Sequence, residues 1–192
     1  MIVLLAGLVL FLGVHSVRIY ADGWRTGVIG ARGEKRWKGI FTLLSIAGFV
    51  LLVWGFGLAR TEPVTLWDPP PTARWLTVVL TLPALILFVS AYVPRNAFKA
   101  WIGHPMMAGT ALWAAAHLAS NGSLADVLLF GAFLVWSVLG FRSARARDRA
   151  AGVGPAPATT AGTANALAAG VAFWGVFGSV LHAWLIGMRP LG

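Results

Sequence analysis

The chain has 192 residues, of which 58% are hydrophobic and 11% charged, and its mean hydropathy is +0.79. A water-soluble domain carries about a quarter of its residues as charges, so this composition excludes an ordinary soluble fold and calls for an apolar medium. The net charge of +9 does not point to nucleic acid, because the cationic residues lie in short loops between apolar runs, where membrane proteins keep them.

Residues 1–19 are uncharged until Arg18. They lack a basic leading segment and a small-residue cleavage pattern, so a retained spanning helix is expected rather than a signal peptide. Residues 39–58 form a second uncharged run. A third, 76–93, has Pro83 near its middle, where a kink is expected. The fourth, 105–119, is short: at ~1.5 Å per residue it covers roughly 22 Å of a hydrocarbon core of about 30 Å. It is expected to sit behind other helices or where the bilayer thins. Ser120-Asn121-Gly122-Ser123 then forces a tight antiparallel turn into a fifth run, 124–141, with Asp126 at its entry. A sixth run, 167–188, contains His182 and follows a Gly/Pro/Ala/Thr-rich stretch, 150–164, expected to be a flexible cytoplasmic linker. The fold class is therefore all-α: one membrane domain over 1–192, a polytopic transmembrane bundle of about six helices.

Loop charge sets the expected orientation. Twelve of the fifteen Lys and Arg residues fall after the first, third and fifth runs: Arg18, Arg25, Arg32, Lys35, Arg36 and Lys38, then Arg95 and Lys99, then Arg142, Arg145, Arg147 and Arg149. Only Arg60, Arg74 and Arg189 lie on the other side. The positive-inside rule places the larger group in the cytoplasm and both termini outside. Between the second and third runs, Trp67-Asp68-Pro69-Pro70-Pro71 is a stiff extended segment with an interfacial tryptophan.

The chain has no cysteine. A disulfide, an iron–sulfur cluster or a thiolate ligand cannot be built from it. Its four histidines, His15, His104, His117 and His182, all lie in or at the end of apolar runs. An ionisable side chain there is costly unless it is paired or faces the protein interior, which makes each a functional candidate. A single imidazole is more often packing glue between helices; three well inside helices favour a cofactor. Without HExxH or a carboxylate within a turn, a zinc hydrolase is poorly supported, and a b-type haem, which takes one or two imidazoles and apolar walls, fits better. Gly109, Trp113, His117 and Asn121 recur every four residues. In the cofactor reading Gly109 leaves room for a flat ring, Trp113 stacks on it and Asn121 caps or binds; in the plain reading the ladder is a helix contact. His104-Pro105 reads as a helix start, with His104 at the cap and, in the cofactor reading, in contact with a propionate or substrate. Gly175, Ser179 and Ala183 beside His182 read as a packing stripe.

The run His104-Pro105-Met106, Leu112-Trp113-Ala114, Ala116-His117-Leu118, Asn121-Gly122 and Leu128-Leu129-Phe130-Gly131 resembles the NnrU family of membrane proteins, as do Phe11 and His15-Ser16 in the first helix. The resemblance covers most of the chain. It implies a bacterial inner-membrane protein associated with denitrification and with nitrite and nitric oxide metabolism. It also implies kinship with the plant 15-cis-zeta-carotene isomerases, which use haem b. The histidines matching their haem ligands are His15 and His117. The plant pattern has a cysteine three residues before the second histidine, where this chain has Ala114; a thiolate-to-imidazole exchange is therefore unavailable here. In depth His15 and His117 differ by roughly 15 Å at ~1.5 Å per residue, a spacing that would instead pair His15 with His104 and His117 with His182. The resemblance keeps His15 and His117 as the iron ligands, with His182 the replacement partner.

Three functions are in competition. The first is a haem-b redox protein or isomerase that takes an apolar substrate or quinone from the lipid and works with a membrane redox partner. The second is a non-enzymatic factor that aids assembly or stability of a reductase complex. The third, a small transporter, lacks the paired interrupted helices common in such proteins.

Overall fold

The computed structural model describes residues 1–190. It is helical almost throughout, and five helices are long and apolar enough to cross a membrane. The chain divides into two compact units, residues 1–64 and 65–192, described here in turn.

The first unit contains α1 (Ile2–Tyr20), α2 (Asp22–Arg32) and α3 (Glu34–Ala59). Helices α1 and α3 pack antiparallel along a glycine seam. A Cβ on Gly7 would come within 2.6 Å of the Leu52 nitrogen, one on Gly48 within 2.8 Å of the Phe11 nitrogen, and one on Gly55 would overlap the backbone of Leu4. In lipid, where burying apolar side chains offers little driving force, such backbone proximity is what joins two helices. Helix α2 occupies part of what reads in the sequence as a loop, and α3 begins five residues before the expected Gly39. Polar and glycine-rich residues hide both from a hydropathy window, but Asp22 and Glu34 in the first turns and Arg32 in the last turn of α2 favour helix through its dipole. Gly33, at φ 83°, separates α2 from α3.

The second unit contains α4 (Thr72–Ser90), α5 (Ala97–Ile102), α6 (Pro105–Ser120), α7 (Leu124–Ala150), α8 (Thr160–Val176) and α9 (His182–Ile186). A five-residue π-helical segment, Phe177–Leu181, joins α8 to α9 without a break. The long helices pack in the order α7, α6, α4, α8, each antiparallel to its neighbours. The 16-residue α6 thus lies between α4 and α7, in keeping with its shortness. Helix α4 continues through Pro83.

Buried polar groups tie these helices together. The Thr77 hydroxyl donates to the Ala116 carbonyl (2.7 Å), and the Ser120 hydroxyl is 2.7 Å away. Trp174 Nε1 donates to Thr81 Oγ1 at 3.2 Å. Asn96, fully buried, donates from Nδ2 to the carbonyls of Ser90 (2.8 Å) and Val93 (2.7 Å) and accepts from the Lys99 N–H (2.9 Å). Within the stretch expected as a linker, 150–164, residues 151–159 are non-helical: α7 continues to Ala150 and α8 begins at Thr160. The start of α8 is fixed by the Thr159 side chain, which accepts from the Gly162 N–H, and by the Thr159 N–H, which donates to the Arg95 carbonyl at 2.8 Å. The Trp67 segment docks on the α6–α7 turn, where the N–H groups of Leu66 and Trp67 donate to the Gly122 carbonyl at 2.8 and 3.2 Å.

Candidate functional site

The α6–α7 turn sets the geometry around His117. Ser123 and Asp126 form a reciprocal cap: the Ser123 hydroxyl accepts from the Asp126 N–H (3.2 Å), and Asp126 Oδ2 accepts from the Ser123 N–H (3.1 Å). This explains the carboxylate at the helix entry. With α7 started there, Phe130 and Phe133 face α6. His117 stacks on Phe130 with ring centroids 4.6 Å apart and planes at 29°. Trp113 meets His117 at 5.1 Å, Phe130 edge-on at 5.1 Å and Phe133 edge-on at 5.7 Å. One turn back, the Trp113 carbonyl accepts from His117 Nδ1 at 2.9 Å. The ring is thereby fixed by its own helix through Nδ1, and Nε2 is turned away from that helix. A metal-binding histidine is oriented by the same kind of bond, its second nitrogen being left to the metal.

His15 repeats this arrangement in the first unit. Its Nδ1 donates to the Phe11 carbonyl at 2.7 Å, its ring stacks on Phe11 at 4.3 Å and 29°, and Phe41 of α3 meets it edge-on at 4.9 Å. Both histidines are thus held through Nδ1 by the carbonyl four residues earlier, and both are walled by aromatic rings.

His182 follows the π-helical segment, a distortion that recurs near functional positions. Its Nδ1 donates to the Met188 carbonyl at 2.8 Å, and Phe177 meets the ring edge-on at 6.0 Å.

His104 takes a different role. It occupies the cap position of α6, but its side chain makes no capping bond. Instead its Nε2 is 2.8 Å from Asp148 Oδ2 on the last turns of α7, and its ring meets Phe141 edge-on at 6.3 Å. Asp148 lies beyond the apolar run of α7, where hydropathy gives no hint that the helix continues; a carboxylate near a helix-start histidine was the missing signal.

Other members of the ladder separate. Asn121 is a cap, its Nδ2 donating to the His117 carbonyl at 2.8 Å. Gly109 faces α4, where a Cβ would come within 2.5 Å of the Ala84 carbonyl oxygen, so the glycine admits a helix and not a flat ring. Each step of four residues turns an α-helix about 40°, and three such steps carry the ladder from the α4 contact round to α7. Helix α8 is likewise seated by Gly170 against Ile86 and Gly162 against the Arg95 carbonyl. A Cβ on Gly175 would meet nothing within 4 Å, so the Gly175, Ser179, Ala183 stripe is not the packing seam expected of it.

No group of three or more metal-ligating His, Cys, Asp or Glu side chains occurs among the described residues. The family described as NnrU protein matches residues 3–190, nearly the whole chain. No curated protein and no solved structure matches it.

Proposed function

The chain belongs to the NnrU family, and from that premise we propose that it is a haem-b-binding redox protein of the bacterial inner membrane, acting in nitrite and nitric oxide metabolism. The observation that carries the reading is the shared setting of His15 and His117: each ring is held through Nδ1 by the carbonyl four residues back and flanked by aromatic rings. These residues fit an apolar macrocycle. Neutral imidazoles supply the donor atoms, and phenylalanine and tryptophan supply the walls. On the family resemblance His15 and His117 are the residues that would ligate the iron, with His182 the replacement partner of His117. Trp113 packs beside the His117 ring and would bound the space of a group held there, and Asn121 fixes the end of the helix that presents His117.

When bound, haem supplies a one-electron couple. The protein's own contribution is to orient the imidazoles and to keep water from them with aromatic side chains. An apolar substrate or a quinone would reach such a site through the lipid, and electrons would come from a membrane redox partner. Carotene-type isomerisation with a thiolate exchange is not part of the proposal, since Ala114 is fully buried where the plant pattern has cysteine. The test is a reduced-minus-oxidised spectrum of the protein purified in detergent. A Soret and α-band that disappear in His117→Ala support the reading. No chromophore, even after haem supplementation, combined with co-purification of a reductase subunit, would replace it with an assembly factor.

A further inference from the structure

We infer that α2 and the first turns of α3 form a binding surface for the headgroup of an anionic phospholipid. Helix α2 has 11 residues, about 16 Å of helix, too short to cross a bilayer, and it lies between two helices long enough to do so. None of its residues is buried by the protein. A helix so placed, with Trp24 61% and Tyr20 71% exposed beside it, lies along the membrane–water boundary, where such side chains are favoured.

Its charge is unbalanced in a specific way. Residues 18–38 hold six cations and two carboxylates, Asp22 and Glu34. Asp22 is taken up by Arg25 at 3.5 Å and Arg18 at 4.0 Å, and Glu34 by Lys38 at 2.9 Å. Arg32, Lys35 and Arg36 are exposed, and no carboxylate among the described residues pairs with them. They straddle the Gly33 break. The two helices they flank are locked by Arg25 over the Trp37 ring at 5.9 Å and by Trp24 edge-on to Trp37 at 5.8 Å. Three unneutralised cations on a fixed frame, beside an aromatic side chain suited to the headgroup level, match a lipid phosphodiester with a second negative or hydroxyl-rich group. Free phosphate would satisfy the cations but leave the exposed part of Trp24 uncovered.

The experiment is native mass spectrometry of the full-length protein in detergent with added phosphatidylglycerol or phosphatidylcholine. Wild type retains phosphatidylglycerol in preference. The triple variant Arg32→Gln, Lys35→Gln, Arg36→Gln loses that preference by at least about tenfold, as removal of three basic residues from a lipid surface requires. Arg142→Gln, Arg145→Gln, Arg149→Gln, with the same charge loss elsewhere, keeps it. Excess inorganic phosphate leaves the retained lipid in place. Equal retention of the two lipids by wild type overturns the inference whether or not the variants fold, as does equal loss in both triple variants or displacement by phosphate. Because the readout is lipid retention, the result does not depend on haem.

Discussion

His117 and Phe130 lie ring on ring, 4.6 Å apart, and this contact joins α6 to α7 at the level of the imidazole. Phe130 is only 5% exposed, so the surface it gives His117 is part of the packed interior and not an incidental neighbour. The Trp113 carbonyl holds one edge of the imidazole and Phe130 holds its face. Replacing Phe130 by alanine removes the face and leaves the edge. In soluble cores such a truncation costs about 3–5 kcal/mol; in lipid, where the transfer contribution is small, the loss is expected to be smaller and to come from packing. A lower melting temperature in detergent should accompany faster acylation of His117 by diethyl pyrocarbonate. Unchanged acylation would mean that Phe130 does not shield the ring.

The glycine seam of the first unit makes a contrast within one pair of helices. Gly55→Ala forces a methyl group into the backbone of Leu4, whereas Gly57→Ala and Gly13→Ala meet nothing within 4 Å. The first should melt well below wild type. The other two should be neutral or gain up to about 1 kcal/mol, from the better helix propensity of alanine. Thermal unfolding of the three proteins followed by circular dichroism decides it, and equal stability of all three would remove close packing as the basis of the α1–α3 contact.

Much of this architecture was legible in advance, for identifiable reasons. Long uncharged runs can only be spanning helices, and the four-residue turn at Ser120–Ser123 permits only a hairpin, so the apolar helices and the α6–α7 pairing follow from the sequence. Helix α2 did not, because its glycines and charges resemble a loop until the helical continuation is seen. The last turns of α7 were hidden in the same way by the arginines at 142, 145, 147 and 149. The histidines were visible as candidates, but what distinguishes them is three-dimensional. Only the positions of Asp148, Phe130 and Phe41 show that His104 is hydrogen-bonded to a carboxylate while His117 and His15 are walled by aromatic rings.

The His104–Asp148 pair closes the open end of the α6–α7 hairpin, opposite its tight turn. Both side chains are 29% exposed. Asp148→Asn keeps the shape but removes the charge, while Asp148→Ala removes the acceptor. Amide exchange at 142–150 should rise in both, and more in Asp148→Ala, because α7 there extends past its apolar packing. Exchange near Phe130 should not change. A rise confined to α6, with none in α7, would show that the pair serves His104 alone.

Thr77 provides the most direct test of polar bonding between helices of the second unit. Its hydroxyl lies within hydrogen-bonding distance of its own helix at Ala73 (3.1 Å), of the Ala116 carbonyl and of the Ser120 hydroxyl, and the residue is 9% exposed. Thr77→Val keeps the volume and the branch but leaves the hydroxyl of Ser120 without this partner. Interhelical hydrogen bonds in membranes contribute about 0.6 kcal/mol on average and up to about 1.7; the buried position of Thr77 places it towards the upper figure. Thr77→Ser keeps the hydroxyl and loses a methyl group, so it should retain most of the stability. Because Ala116 immediately precedes His117, loosening this contact should also release the helix segment that presents the imidazole. Thr77→Val should then resemble Phe130→Ala in raising His117 acylation, and the double variant should exceed neither single variant by its full effect, since the two act on one segment. Full additivity would separate the α4 contact from the histidine and leave Thr77 with a purely structural role.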